Sequence, residues 1–305
     1  MPGKRDFISI VDLTSQEIIS IVDRAQELKN MPSLKPLDGM RVALLFEKPS
    51  LRTKVSFQIG IQELGGFSLY LGPDEVGLGG REPVSDVARV LSGYVDCIVA
   101  RVFSHAMLQE LACYSSVPVI NALSDWEHPC QIMSDLLTIS ESKGGLNSLK
   151  LAYVGDGNNV ARTLCLGLPM VGMDFAIASP IGYGLDDESL DLAKGRSANT
   201  NSLLSAGVEP LSAVKSADIV YTDVWTSMGD ESESDIRREV FSGYTVDEEL
   251  LREAKPDAIF MHDMPAHYGE EVVAGMLEHP QSVAYIQANN RLHCQKAILE
   301  FILQR

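Results

Sequence analysis

The sequence predicts an α/β protein of two domains, each built on a central parallel sheet flanked by helices. Three observations carry this expectation. The 305 residues are 45% hydrophobic and 22% charged, enough apolar material for one large core or two ordinary ones. Short apolar runs alternate with longer amphipathic segments along most of the chain, as parallel strands joined by helical crossovers require. A polar, Gly-rich stretch at 141–148, ESKGGLNS, interrupts the alternation and is the expected break between domains.

In chain order, Thr14 with Glu17 forms a capping-box pattern, and Ile18, Ile21, Val22, Ala25 and Leu28 follow at helical spacing. An amphipathic helix therefore opens the chain. The runs RVALLFE, FSLYL, DCIVAR and VPVIN read as strands, each followed by a helical pattern, the last of these near 129–140. Because the strands are continuously apolar, the sheet is expected to be covered on both faces. Beyond the break, LKLAYVGD, FAIASP, DIVYTDV and DAIFMHD read as a second set of strands, with helices near 159–171, 210–216 and 246–254. The stretch 226–245 is too polar for a core element and reads as a long loop. A last helix, 289–303, carries Leu292, Ala297, Ile298, Phe301 and Ile302 and could pack on either domain. The expected domains are 1–140 and 149–288.

Charge narrows the function. Lys+Arg 25 against Asp+Glu 42 gives a net charge of −17, which argues against a nucleic-acid or anionic-membrane surface, since both need basic patches. An anionic ligand would have to be held by a local basic site. No apolar run reaches the roughly 18 residues of a membrane span, and the N-terminus lacks a signal-peptide pattern, so a soluble, cytoplasmic protein is expected. The five cysteines form no CxxC pair and sit mostly in apolar stretches, which fits reduced thiols rather than disulfides or structural zinc.

The strongest local feature is FEKPSLRTK, residues 46–54, where a strand gives way to a helix. Backbone N–H groups at a helix N-terminus, two hydroxyls and a guanidinium offer fixed donors to a phosphate. A Ser-capped helix with a solvated Arg is the simpler reading of this segment alone.

The segment resembles the Ser-Thr-Arg-Thr phosphate signature of the aspartate/ornithine carbamoyltransferase family, with Leu51 for the first Thr and Lys54 for the usual Arg. His128-Pro129-Cys130-Gln131 resembles that family's His-Pro-x-Gln motif, and Arg101 and Arg291 match two of its arginines. The matches span nearly the whole chain. Asp223-Val224-Trp225-Thr226-Ser227-Met228-Gly229 is similar to the Asp-x-x-x-Ser-Met-Gly loop of its ornithine enzymes, and Asn158-Asn159 to their amino-acid-binding asparagines.

The resemblance implies transfer of the carbamoyl group of carbamoyl phosphate to the side-chain amine of ornithine, with an active site in the cleft between the domains. It assigns Ser50, Leu51, Arg52, Thr53 and Arg291 to the phosphate, Arg101, His128 and Thr53 to the carbonyl oxygen, and Gln131 to the carbamoyl amide. Asn159, Asp223, Ser227, Met228, Asp263 and Met264 fall to the amino acid. The residue types suit the chemistry, because the carbonyl oxygen gains negative charge as an amine attacks and needs fixed donors. No cofactor or metal is required, since the leaving group is already phosphate; the pair His262 and His267, lacking a nearby third ligand, is weak evidence of a metal site. The resemblance also implies a homotrimer or a multiple of trimers, in which the loop GPDEVGLGGRE reaches a neighbouring subunit, and arginine biosynthesis as the default role.

The chain departs from the family in two further places. Asp263 stands where the family has the cysteine of His-Cys-Leu-Pro, and a carboxylate there could anchor the amine, take its proton or turn away to an arginine. A different amine is the alternative this substitution raises. Gly77 replaces a Gln or His common in relatives. Two other classes stay in view. Gly155-Asp156-Gly157-Asn158-Asn159-Val160 partly imitates a dinucleotide turn, but it lacks the third glycine, and Ser179-Pro180 ends the next strand without an acid for a ribose hydroxyl. A non-catalytic binding protein on this fold would be expected to lose Arg52, Arg101, His128 or Arg291, and none is lost.

Overall fold

The computed structural model describes residues 4–30, 35–197, 200–227, 229 and 231–303. By contacts the chain divides into two compact units, Met1–Leu137 with Asn290–Arg305, and Thr138–Asn289.

The first unit opens with α1 (Ser15–Asn30), whose buried positions are the expected Ile18, Ile21, Val22, Ala25 and Leu28. Thr14 N–H donates to Glu17 Oε2 at 2.8 Å and Glu17 N–H donates to Thr14 Oγ1 at 3.3 Å, which closes the capping box. Then β1 (Arg41–Phe46), α2 (Leu51–Glu63), β2 (Phe67–Leu71), a one-turn α3 (Pro73–Val76), α4 (Val84–Ser92), β3 (Cys97–Arg101), α5 (His105–Tyr114), β4 (Val119–Leu123) and α6 (Pro129–Lys143) alternate along the chain. The strands form one parallel sheet in the order β2-β1-β3-β4. Its core includes Ala43, Leu45, Ile98, Ala100, Leu108 and Val119. The central strands are buried except for Arg41 at the start of β1, whereas β2 lies at the edge with Phe67 and Leu69 exposed, so two-sided cover does not extend to it.

The second unit contains β5 (Lys150–Val154), α7 (Asn159–Gly167), β6 (Asp174–Ala178), α8 (Asp187–Ser197), β7 (Leu204–Gly207), α9 (Pro210–Val214), β8 (Ile219–Thr222), α10 (Ser234–Val240), α11 (Glu248–Arg252) and β9 (Ile259–His262). Its parallel sheet runs β7-β6-β5-β8-β9. The last helix, α12 (Ala284–Leu303), joins the first unit from Asn290 onward. There Arg24 pairs with Glu300 at 2.7 Å, Lys296 pairs with Glu63 at 2.7 Å, and Cys294 Sγ donates to the Met133 carbonyl at 3.2 Å.

Two parts of this unit differ from the sequence reading. Strand β7 and helix α8 were not anticipated, because LSAG is a short edge strand with three exposed residues and shows no buried-face alternation. The stretch 226–245 is not a plain loop but holds α10, and its polarity is deceptive because Arg237 is buried with partners. Phe241, just after the helix, is fully buried between Trp225, Tyr183 and Tyr244, with ring centroids 5.2 to 5.9 Å away. Four of the five cysteines are buried thiols, and burial pushes the Cys130 and Cys165 thiols up to about 12.

The turn after β5 is held by close backbone approach. Gly157 N–H donates to the Tyr183 carbonyl at 2.7 Å, and a Cβ on Gly157 would lie 2.4 Å from the Gly184 carbonyl carbon. That neighbour is backbone and cannot swing aside. Gly157→Ala is therefore expected to destabilise the second unit by about 2 kcal/mol; a thermal or urea unfolding curve superimposable on wild type would contradict this packing.

Candidate active site

In the first sheet the order reverses between β1 and β3, whose ends are in register at Phe46 and Arg101. Connections leave these two strands in opposite directions and open a crevice at their carboxyl ends, the place where ligands bind in open parallel sheets. The residues expected to hold a phosphorylated donor gather there. Ser50 caps α2, accepting the Thr53 N–H at 3.2 Å, so the cap and the donor-rich turn are one structure. Leu51 exposes its side chain and offers the site only its backbone. Thr53 is fully buried, and Arg291 Nη2, arriving on α12, donates to its Oγ1 at 2.6 Å. Lys54, in place of an arginine, sets its ammonium 3.4 Å from the centroid of the Tyr70 ring, a contact a point charge makes without a guanidinium fork.

His128 follows β4 and is almost wholly buried. Burial first, then Arg291, Arg101 and Arg52, hold its pKa well below the ordinary 6.5. Three arginines from three separate elements thus act on one imidazole, which stays neutral. Gln131, on the first turn of α6, is fully buried and donates Nε2–H to Asp135 at 2.9 Å.

In the second sheet the order reverses between β5 and β8, and the residues expected for an amino acid follow β5, β8 and β9. Asn158 is engaged within the unit. Its Oδ1 caps α7 by accepting from Val160 and Ala161, and its Nδ2 donates to Asp223 Oδ2 at 2.7 Å. It orients Asp223, whose other oxygen accepts the Val224 N–H at 2.7 Å. Asn159 and Ser227, close in sequence to these anchors, and Met264, after β9, are half-buried, while Met228 lies outside the described residues.

His262 is fully buried at the end of β9. Its Nδ1 accepts the Met264 N–H at 2.9 Å, so the ring proton sits on Nε2 and points to Glu271 Oε1, 3.1 Å away. Asp263 places a carboxylate oxygen 3.7 Å from His262 Nδ1, and Asp223, His262 and Asp263 bring ligand-type atoms within 4.8 Å of one another. Burial, then Asp223, Asp156, Asp263 and Glu271, hold the Tyr153 hydroxyl well above its usual 10, so it remains a neutral phenol. The second unit thus concentrates negative charge where the first concentrates positive.

A metal fits poorly at that trio, because both ring nitrogens of His262 are already engaged. His267, Glu270 and Glu271 also approach within 4.8 Å, but Arg238 already donates to Glu270 at 2.9 Å.

Two site residues escaped the sequence reading. Arg237 donates to Asp156 Oδ2 at 3.0 Å and to the Trp225 carbonyl at 2.7 Å, which ties the loop after Asp223 to the turn after β5. Glu271 fixes the His262 tautomer. Neither lies in a recognisable motif, and only their burial in the fold marks them.

Two family models match the chain. One, described as the aspartate/ornithine carbamoyltransferase carbamoyl-P binding domain, covers residues 5–141, and the other, the Asp/Orn binding domain of the same family, covers residues 147–302. The chain belongs to the aspartate/ornithine carbamoyltransferase family. It is 50% identical over 303 residues to an ornithine carbamoyltransferase of Acidothermus cellulolyticus, covering 98% of this chain and 96% of that one. An ornithine carbamoyltransferase of Thermococcus kodakarensis is 45% identical over 303 residues, with 98% and 96% covered. The solved ornithine carbamoyltransferase of Pyrococcus furiosus superposes with a TM-score of 0.94 at 44% identity, covering 98% of this chain and 96% of that one. Acetylornithine transcarbamylase is more distant, at 28% identity and a TM-score of 0.90, covering 98% and 99%.

Because the His128 pKa is depressed on folding, the unfolded chain binds the extra proton first. Stability from this residue is complete above pH 6.5 and declines as pH falls below it. His128→Asn should show a shallower loss of thermal stability between about pH 6.5 and 5, together with a roughly 10²-fold loss of kcat. An unchanged acid slope would mean that the imidazole is charged in the fold.

Proposed function

We propose that this chain transfers the carbamoyl group of carbamoyl phosphate to the side-chain amine of L-ornithine, giving L-citrulline and phosphate. The observation that carries the reading is the convergence of Arg52, Arg101 and Arg291 on a neutral, desolvated His128, since those cations suit an anionic donor. Ser50, Arg52, Thr53, Arg291 and the backbone at Leu51 bind the phosphate. Arg101, Thr53 and His128 donate to the carbonyl oxygen as it becomes an oxyanion, and Gln131 accepts from the carbamoyl NH₂. A protonated imidazole is not needed, because a neutral ring also carries one N–H.

The carboxylates of the second unit support a diamino acid as acceptor. Asp223, held in place by Asn158 and Val224, takes the α-ammonium, Asn159 takes the carboxylate, and Ser227 and Met264 serve the side chain. Asp263 anchors the δ-ammonium. That ammonium has an ordinary pKa of roughly 10.4 and must lose a proton before it attacks, and a neighbouring carboxylate raises this threshold. Carbamoyl phosphate binds before the amino acid. Relatives from Pyrococcus furiosus and Campylobacter jejuni are described as anabolic, which supports a biosynthetic direction toward arginine. A charged acyl phosphate does not cross membranes unaided, and we place the reaction in the cytoplasm.

The decisive experiment is carbamoylation of ornithine, lysine, putrescine, N-acetylornithine and aspartate by the purified protein. Ornithine should lead by at least about tenfold in kcat/KM, roughly 1.4 kcal/mol of transition-state preference; another amine winning would assign the second unit a different substrate. Asp263→Cys should raise the ornithine KM about tenfold and move the alkaline rise of the pH profile lower. If neither KM nor profile moves, Asp263 does not touch the amine.

We further propose a homotrimer or a multiple of it. Leu51, Val55 and Ile59 form an exposed apolar stripe on α2, and Phe67 and Leu69 are exposed on the edge strand β2, surface that a second copy of the chain would cover. Gly77 sits at φ 59°, ψ 48° as the C-cap of α3, a left-handed position that disfavours the Gln or His of other members. In light scattering the protein should weigh a multiple of three times the 33.3 kDa chain, and Phe67→Asp should shift it toward monomer. A monodisperse monomer at micromolar concentration would refute the assembly.

A further inference from the structure

The fully buried Gln131 amide has one hydrogen-bonding end engaged and one that is not. Nε2 donates to Asp135 Oδ1 at 2.9 Å, one helical turn along α6, while Oε1 is buried without a hydrogen-bond partner among the described residues. An amide can turn over, exchanging its NH₂ for its oxygen, and the two orientations recognise opposite ligands. One accepts from an NH₂, and the other donates to an acceptor. Asp135, also fully buried, removes that freedom, because its Oδ1 accepts from the NH₂ end and would meet a second acceptor if the amide turned over.

We propose that Asp135 is a positioning residue that sets donor specificity: it locks Gln131 with Oε1 presented to the ligand, so that the site selects an acyl phosphate bearing NH₂ over one bearing CH₃. The inference rests on the reading of Gln131 as the partner of the carbamoyl NH₂. Turning the amide over would leave Asp135 facing an oxygen, a repulsive contact between two acceptors in a site without water access. Losing the lock would therefore abolish discrimination without removing the phosphate contacts, which come from Ser50, Arg52, Thr53 and Arg291. An aligned, buried acceptor that would go unpaired beside a methyl group gives about tenfold discrimination or more.

The test compares two stable phosphonates that differ only in this group, phosphonoacetamide and acetonylphosphonate, by calorimetric titration of the full-length protein, with inorganic phosphate as a control. Wild type should bind the amide at least about tenfold more tightly than the ketone. In Asp135→Asn, which can face either end of Gln131, the ratio should fall about tenfold toward one while phosphate affinity stays within about twofold. Asp135→Ser is expected to give the same result and serves if the Asn variant does not fold. A preserved amide-to-ketone ratio in a folded variant, or equal affinities in wild type, overturns the inference. If wild type binds neither phosphonate nor phosphate, the reading of the first unit as a carbamoyl phosphate site fails instead.

Discussion

Parallel pairing is the constraint from which the rest of this molecule follows. Every strand in both sheets points the same way as its neighbours, so every strand-to-helix connection emerges at one edge of its sheet. In each sheet the direction of winding also reverses, between β1 and β3 in one and between β5 and β8 in the other. At those points two loops part, and the crevice between them is lined by whatever follows the strands. In the first unit that is Ser50 to Thr53, Arg101 and, beyond β4, His128. In the second it is the Asn158 turn, Asp223 and, beyond β9, Asp263.

The two crevices carry opposite electrostatics although the chain as a whole is acidic. A net charge of −17 says little about the environment of His128, because arginines from β3, α2 and α12 act on it locally in a desolvated setting. The second unit gathers Asp156, Asp223, Asp263 and Glu271 around Tyr153. Such a concentration of like charge is tolerable because much of it is compensated. Arg237 pairs with Asp156, Asn158 and Val224 donate to Asp223, and His262 and the His267 backbone serve Glu271.

The site is also held by contacts that do not themselves touch a ligand in the proposed reaction. Gly157 lets the 183–185 backbone pass within van der Waals range, Met264 N–H selects the His262 tautomer, and Arg237 fastens the loop beyond Asp223. Preorganisation of this kind is what lets hydrogen bonds act on a developing charge without the cost of reorienting at the moment of reaction. Asp263 adds to this framework a carboxylate beside a histidine whose ring nitrogens are both engaged.

By itself the sequence determined the α/β class, the amphipathic first helix with its Thr14–Glu17 cap, all eight of the strands it proposed as short apolar runs, and the motif residues that the fold then gathered in each unit. These are local signals: periodicity, caps and short spacings survive in the linear chain. The tertiary structure decided what depends on neighbours distant in sequence. It made Asn158 a cap and an orienter of Asp223, and it placed a helix within the polar 226–245 stretch, where Arg237 has a buried partner 81 residues away. It added β7 and α8, whose residues show no periodicity because an edge strand has little buried face to mark. The neutrality of His128 belongs to the same class, since a pKa is set by burial and by charges from three separate elements, and no stretch of sequence contains them together.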